Sequence, residues 1–210
     1  MSYAVKEVFK TLQGEGAQAG RAAVFCRFTG CNLWSGLERD RATAQCSFCD
    51  TDFVGMDGTG GGRFASAESL TEAIVAEWGA STDRRYVVLT GGEPLLQVDD
   101  ALVAALHRRG FEIGVETNGT QAAPAGIDWI CVSPKADNQI VLTHGDELKL
   151  VYPQADAEPA RFEHLDFHHF FLQPMDSADA DANLAATIAF CTENPRWRLS
   201  LQSHKMIGIR

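Results

Sequence analysis

Basic residues are scarce in this sequence. Its 210 residues include 18 Lys and Arg against 28 Asp and Glu, a formal net charge of −10. Phosphate neutralisation needs a basic face, so broad nucleic-acid binding is disfavoured. No stretch approaches the roughly 20 apolar residues of a membrane helix, and no membrane association is expected. The opening MSYAVKEVFKTLQGEG has no long apolar stretch of the secretory kind, so the expected location is the cytoplasm, where disulfides are rare. No repeat of solenoid period is present. The glycine-biased stretch GMDGTGGGR (55–63) lacks the Gly-Lys-Ser/Thr ending of a phosphate loop, and no clear strand leads into it. It is expected to be a flexible loop without a nucleotide role. What remains is ordinary for a soluble globular protein, at 45% hydrophobic and 22% charged residues, and long enough for one domain with a real core.

The rest of the chain alternates. AAVFCRF (22–28), YVVLT, FEIGVET, WICVSP, ELKLVYP and HFFLQP read as six core strands, with RWRLSLQ as a final one. SAESLTEAIVAEW, DDALVAALHRRG and DADANLAATIAFCTEN read as three long helices. The first has Ser66 and Ser69 in capping-box positions, and the second has acids at its start and Gly110 just past its end. Strands alternating with helices imply an α/β fold with a parallel sheet and right-handed crossovers. Function in such sheets gathers at the carboxyl ends of the strands. There the sequence places TGGEP, ETNG, SPK and LQP, and the loop after the first strand carries a run of cysteines.

That run is CNLWSGLERDRATAQCSFCD, with fourteen residues between Cys31 and Cys46 and two between Cys46 and Cys49. A structural zinc site wants four ligands, usually from two hooks, and only one Cys-x-x-Cys hook exists here. Cys26 and Cys131 fall inside expected strands and Cys191 inside a helix, as small core residues do. Alternation places Cys26 on the face opposite Arg27. Three thiolates suit an iron–sulfur cluster of four irons in which one iron keeps no protein ligand. The absent fourth cysteine then marks where an outside molecule binds.

With TGGEP at the end of the next strand, this pattern resembles the radical S-adenosylmethionine enzymes, whose usual motif is CxxxCxxC. Here the first gap is fourteen residues instead of three, an insertion of eleven at about 32–45. TLQGEG, CRFTGCNLW, CSFCDT, TGGEP, ETNG, SPK and LQP, in this order, resemble the 7-carboxy-7-deazaguanine synthase family over nearly the whole chain. The resemblance implies an abbreviated partial (β/α) barrel of about six parallel strands and about three long helices, as one domain over 1–210. It implies a carbon–nitrogen lyase that contracts the ring of 6-carboxy-5,6,7,8-tetrahydropterin to 7-carboxy-7-deazaguanine with loss of ammonia, in queuosine and related 7-deazapurine biosynthesis. Its implied cofactors are a [4Fe-4S] cluster, S-adenosylmethionine regenerated in each turnover, and Mg2+. A flavodoxin-like reductant and a homodimer are implied as partners.

Residue by residue, the resemblance assigns the cluster to Cys31, Cys46 and Cys49. S-adenosylmethionine would be bordered by Phe48, Cys49 and Asp50, by Gly92 and Glu93, by Ser133, Pro134 and Lys135, and by Gln173, Pro174, Met175 and Asp176. Glycines at 91 and 92 admit a close backbone approach, or serve a simple strand-to-helix turn. Glu93 either accepts from the cofactor ammonium or caps the helix. The pterin would meet Leu12, Gln13, Gly14 and Glu15, Thr90 and Gly91, and Glu116 and Asn118. Arg27 offers a carboxylate a two-pronged guanidinium, and in an interior strand an unpaired charge would be costly. Thr51 would hold magnesium, although residue type alone favours Asp50 or Asp52. The tail SHKMIGIR would return His204 and Arg210 to the substrate instead of fraying. No side chain is assigned a catalytic role beyond the cofactor and cluster. His164, His168 and His169 fit no zinc spacing and read as surface or structural. A glycyl-radical activating enzyme, a zinc-stabilised binding module and a plain pterin-binding protein remain as alternatives.

Overall fold

A computed structural model describes residues 2–210. Strand β1 (Tyr3–Leu12) turns back through Gly16–Gln18 into the antiparallel β2 (Ala22–Phe28). The cysteine loop follows, then a short β3 (Gly62–Phe64), α1 (Ala67–Trp78), β4 (Tyr86–Gly91), α2 (Asp100–Arg108) and β5 (Glu112–Thr117). Beyond these come β6 (Trp129–Val132), β7 (His144–Tyr152), β8 (Asp166–Pro174), α3 (Ala180–Glu193), β9 (Trp197–Leu199) and a short α4 (Ser203–Ile207). Among the described residues the strands form one nine-stranded sheet, in the order β3-β1-β2-β4-β5-β6-β7-β8-β9. From β2 onward every pair is parallel.

The three long helices stand where the sequence places them, and the first two carry their side-chain caps. The Ser66 hydroxyl accepts the Ser69 N–H, and Ser69 returns a bond to the Ser66 N–H. Asp99 caps α2 through the Leu102 N–H at 3.0 Å. Leu70 and Ile74 of α1 and Leu102 and Leu106 of α2 are fully buried. They cover the outer face of the sheet, in one core with Val24, Cys26, Leu89 and Ile113. The connections β5–β6, β6–β7 and β7–β8 contain no long helix, so the barrel-like winding is incomplete and the sheet keeps two edges.

The expected run of parallel strands is present, and β1 and β3 extend the sheet antiparallel on the β2 side. One expectation is corrected. The glycine-rich stretch is not a free loop. The Val8 N–H donates to Thr59 O at 2.8 Å and the Gly58 N–H to Lys6 O at 3.0 Å, and Gly62 and Arg63 begin β3. Its glycines let this backbone lie directly on that of β1: a Cβ on Gly61 would run into the Lys6 carbonyl oxygen.

The strand-end turn after β4 depends on Gly91. Its φ is +132°, and a Cβ there would meet the backbone of Phe28, the residue it pairs with on β2. Gly91→Ala is expected to lower stability by about 1–3 kcal/mol. The check is a lower urea midpoint at unchanged slope.

Candidate active site

Alternation sends every second side chain of the parallel strands to the concave face of the sheet. Near the strands' amino ends that face is filled by Ala23, Tyr86 and Val88, with Phe25 beside them. Toward the carboxyl ends the filling stops, leaving a cleft of about 410 Å³. Its walls come from elements as far apart in the sheet as β1 and β8, so the sheet curls around it. Arg27 (β2), Thr90 (β4), Glu116 (β5), Lys149 and Val151 (β7) and Gln173 (β8) line it.

Most of the residues singled out in the sequence converge here. Leu12, Gln13, Gly14 and Glu15, at the end of β1, form one wall. Gly91, Gly92, Asn118, Ser133 and Lys135 come from the turns after β4, β5 and β6. Pro174, Met175 and Asp176 follow β8, while Phe48, Cys49, Asp50 and Thr51 come from the cysteine loop. His204 and Arg210 reach the cleft from the tail, which is docked rather than frayed. Ser203 donates through both N–H (3.0 Å) and hydroxyl (2.8 Å) to Gly14 O. Lys205 bridges Asp50 (2.7 Å) and Asp176 (2.6 Å). Arg210 pairs with Glu7 and lies over the Phe9 ring.

Two expected contacts do not face the cleft. Pro134 is buried behind it. Glu93 is fully buried, and its carboxylate accepts from Leu95 N–H (3.0 Å), Thr117 hydroxyl (2.8 Å) and Asn118 N–H (2.8 Å). Burial raises the pKa of this carboxyl, and those donors oppose the rise. Glu93 therefore caps the turn and ties TGGEP to ETNG. The glycines likewise serve packing: a Cβ on Gly92 would collide with the Gly30 carbonyl, just before Cys31.

The three loop cysteines gather at one end of the cleft. Cys49 lines it, while Cys31 and Cys46 lie behind. The Cys46 N–H donates to Leu33 O at 3.4 Å, joining the two halves of the motif. Burial pushes the Cys46 thiol up to about 11; Lys135 pulls it down, and the nearby Cys49 and Cys31 add to the rise. Burial also raises Cys31, against N–H groups of Leu33 and Trp34 that point at its sulfur. The insertion forms a 3-10 turn over Glu38–Thr43. Arg41 stacks over Trp34 at 4.1 Å and donates to the carbonyls of Ser47 (2.8 Å) and Cys49 (3.1 Å). Trp34 in turn meets Phe53 edge-on. Of the other thiols, Cys26 and Cys131 are buried in strands and Cys191 is half-buried in α3. His168 is exposed and His169 stacks on Trp129.

Comparison with known proteins identifies the family. The Radical SAM superfamily profile matches residues 40–147. A 7-carboxy-7-deazaguanine synthase of Bradyrhizobium diazoefficiens is 69% identical over 210 residues, covering all of both chains.

The chain belongs to the 7-carboxy-7-deazaguanine synthase family of radical SAM enzymes.

The synthase of Burkholderia multivorans is 57% identical over 209 residues, again across both full lengths. The crystal structure of QueE from Escherichia coli superposes with a TM-score of 0.70 at 27% identity, covering 97% of this chain and 95% of that one. The radical SAM family brings a [4Fe-4S] cluster and S-adenosylmethionine. The three loop thiols lie near one another, since Cys49 and Cys31 both act on the Cys46 thiol, and thiolates are the donors such a cluster takes. Among the described residues no three His, Cys, Asp or Glu side chains are placed to share a single ion. No described helix is long and apolar enough to cross a membrane.

Several cleft residues had no motif to announce them. Glu7 pairs with Arg27 at 2.8 Å as well as with Arg210, a cross-strand pair visible only once β1 is known to be a strand. Lys149 bonds Glu15 at 2.7 Å and Glu116 at 2.8 Å. Its signal was the alternation of Glu147, Lys149 and Val151 along one face of β7. Burial works to raise the Glu15 carboxyl, but Lys149 and Gln202 outweigh it and hold it down to about 2. Because this folded value lies below the ordinary 4.5, the stabilisation is present above pH 4.5 and is lost as pH falls through about 2. Denaturation midpoints measured across that interval are expected to fall less steeply for Glu15→Gln than for the unaltered chain.

Proposed function

We propose that the protein contracts 6-carboxy-5,6,7,8-tetrahydropterin to 7-carboxy-7-deazaguanine, releasing ammonia, in 7-deazapurine biosynthesis. The observation that carries this reading is the convergence of TLQGEG, Arg27, the cysteine loop and the TGGEP turn on one cleft, in a chain 69% identical end to end to a synthase of that name. When bound, the cluster and S-adenosylmethionine supply the radical that starts the rearrangement. Cys31, Cys46 and Cys49 would hold the cluster. Phe48, Asp50, Gly92, Ser133, Lys135 and the segment from Gln173 to Asp176 would border S-adenosylmethionine.

The chain's own groups then position the pterin. Arg27 uses its Nε on Glu7, which keeps its terminal nitrogens available for the substrate carboxylate. Arg210, on the other side of Glu7, adds a second cation. Leu12, Gln13 and Gly14 present fixed backbone and amide partners to a flat heterocycle. Thr90, Asn118 and His204 complete its surroundings, and the docked tail limits water entry.

Magnesium would be held by the Thr51 hydroxyl. The flanking carboxylates support this choice over Asp50 or Asp52: Asp50 is bonded to Lys205 at 2.7 Å and Asp52 pairs with Lys6 at 2.9 Å. A hard cation here would find few protein anions, so oxygens of the substrate and water complete its shell. We read the chain as one domain with its insertion at about 32–45, acting as a homodimer with a flavodoxin-like reductant. Its free cysteines suit a reducing compartment such as the cytoplasm.

Purification without oxygen, cluster reconstitution, and addition of reductant, S-adenosylmethionine, magnesium and 6-carboxytetrahydropterin test the reading. Mass spectrometry is expected to find 7-carboxy-7-deazaguanine from the wild type and none from Cys46→Ala. Cleavage of S-adenosylmethionine without that product would overturn the substrate assignment. In the same assay, Thr51→Val is expected to need about tenfold or more magnesium for half-maximal rate, as loss of about 1.4 kcal/mol of binding would produce.

A further inference from the structure

The cleft wall contains a charge arrangement that the proposed chemistry has not yet used. Lys149 is almost completely buried, with 5% of its side chain exposed, and two carboxylates share its ammonium. Each carboxylate is held in the same way. One oxygen of Glu15 takes Lys149 at 2.7 Å and the other accepts the Gln202 amide at 3.0 Å. One oxygen of Glu116 takes Lys149 at 2.8 Å and the other accepts the Gln13 amide at 3.1 Å. The result is a hydrogen-bonded chain, Gln13–Glu116–Lys149–Glu15–Gln202, running from the end of β1 to the tail. All five members line the cleft.

A single carboxylate would already balance one buried ammonium. The second leaves surplus negative charge in a low-dielectric wall, facing the space where the substrate would lie. We propose that Lys149 is a positioning residue for the reaction: it keeps Glu15 and Glu116 side by side and both ionised, so that their free lone pairs accept N–H donors of the substrate ring. The inference rests on the substrate reading given above.

The physical argument is like-charge repulsion. Two carboxylates in one buried site cannot both stay ionised unless a cation stands between them; without it, one takes up a proton. A protonated member becomes a donor at one of its oxygens and no longer matches an N–H edge. The other groups facing Lys149 do not substitute for it. Glu147, on β7, is itself raised by burial and accepts from the Ala17 N–H at 2.9 Å. Cys131, on β6, is buried with its thiol pushed up by that burial. Tyr86, on β4, is likewise raised by burial, and His204, on α4, lies near Glu15. Burial disfavours the charge on Lys149, and Cys131 with the carboxylates of Glu116, Glu15 and Glu147 more than offsets this.

The test compares reconstituted wild type, Lys149→Met, Lys149→Arg and the double variant Glu15→Gln/Lys149→Met. In Lys149→Met the acid limb of kcat/KM is expected to move up by about one pH unit or more, as for two coupled sites, with activity recovering at alkaline pH. Lys149→Arg should restore the limb, and the double variant should lose most of the shift because Glu15, which repels Glu116 across the Lys149 site, is then neutral. A rate loss uniform across pH would mark a merely structural role and overturn the proposal. Infrared spectroscopy without substrate provides a readout free of turnover. A protonated-carboxyl band at neutral pH is expected in Lys149→Met and not in the double variant; its absence from Lys149→Met overturns the proposal. Should Lys149→Met not fold, the wild type still decides. A neutral-pH protonated-carboxyl band that disappears in Glu15→Gln or Glu116→Gln would show that Lys149 does not keep the pair ionised. If the wild type cleaves S-adenosylmethionine but forms no 7-carboxy-7-deazaguanine, the substrate reading fails, while the infrared bands still judge the charge arrangement.

Discussion

A parallel sheet that curls has to fill its own concave face. In this molecule the face is filled in two ways along the strands. Small and aromatic side chains, Ala23, Phe25, Tyr86 and Val88, occupy the amino-terminal part, and ionised or amide side chains occupy the carboxyl-terminal part. Polar groups withdrawn from water are tolerated only when they are paired. That requirement explains why the cleft is a network rather than a set of independent side chains: Glu7 joins two arginines, Lys149 joins two glutamates, and Lys205 joins two aspartates. Each bridge links different strands or the tail, so the pairing that permits a polar interior also sets the shape of the site.

Much of this was legible in the sequence. All three long helices were read from the sequence, the first two from their end signals, and the strand-end motifs marked the cleft because chemistry in parallel sheets gathers there. Alternation put Arg27 on the face opposite Cys26, and the structure has Arg27 on the cleft and Cys26 in the outer core. What stayed hidden has a common cause. A period of two says that a strand has two unlike faces but does not say which one meets water. In ELKLVYP the polar face, Glu147 and Lys149, turns inward, and the apolar face, Leu148 and Leu150, packs in the outer core. Strand β1 was hidden for a related reason: its Lys and Glu residues look like an exposed start, yet Lys6 is buried against Asp52 and Asp57.

The glycines and Glu93 show how one motif serves two purposes. The TGGEP turn must lie flush against β2 and the start of the cysteine loop, and only residues without a Cβ allow that approach. Glu93 then spends both oxygens on the neighbouring strand end. Its buried carboxylate fixes the spacing between two turns that both border the cleft, so its contribution to the site is made through backbone position.

The insertion between Cys31 and Cys46 has a consequence for how a cofactor is captured. A flexible gap of that length would have to lose its chain entropy when three sulfurs are brought together. Here the gap is already closed: Arg41 lies against Trp34 while its guanidinium holds the carbonyls of Ser47 and Cys49. The inserted residues thus act as a splint, and much of the ordering that cluster assembly would otherwise demand is completed when the polypeptide folds.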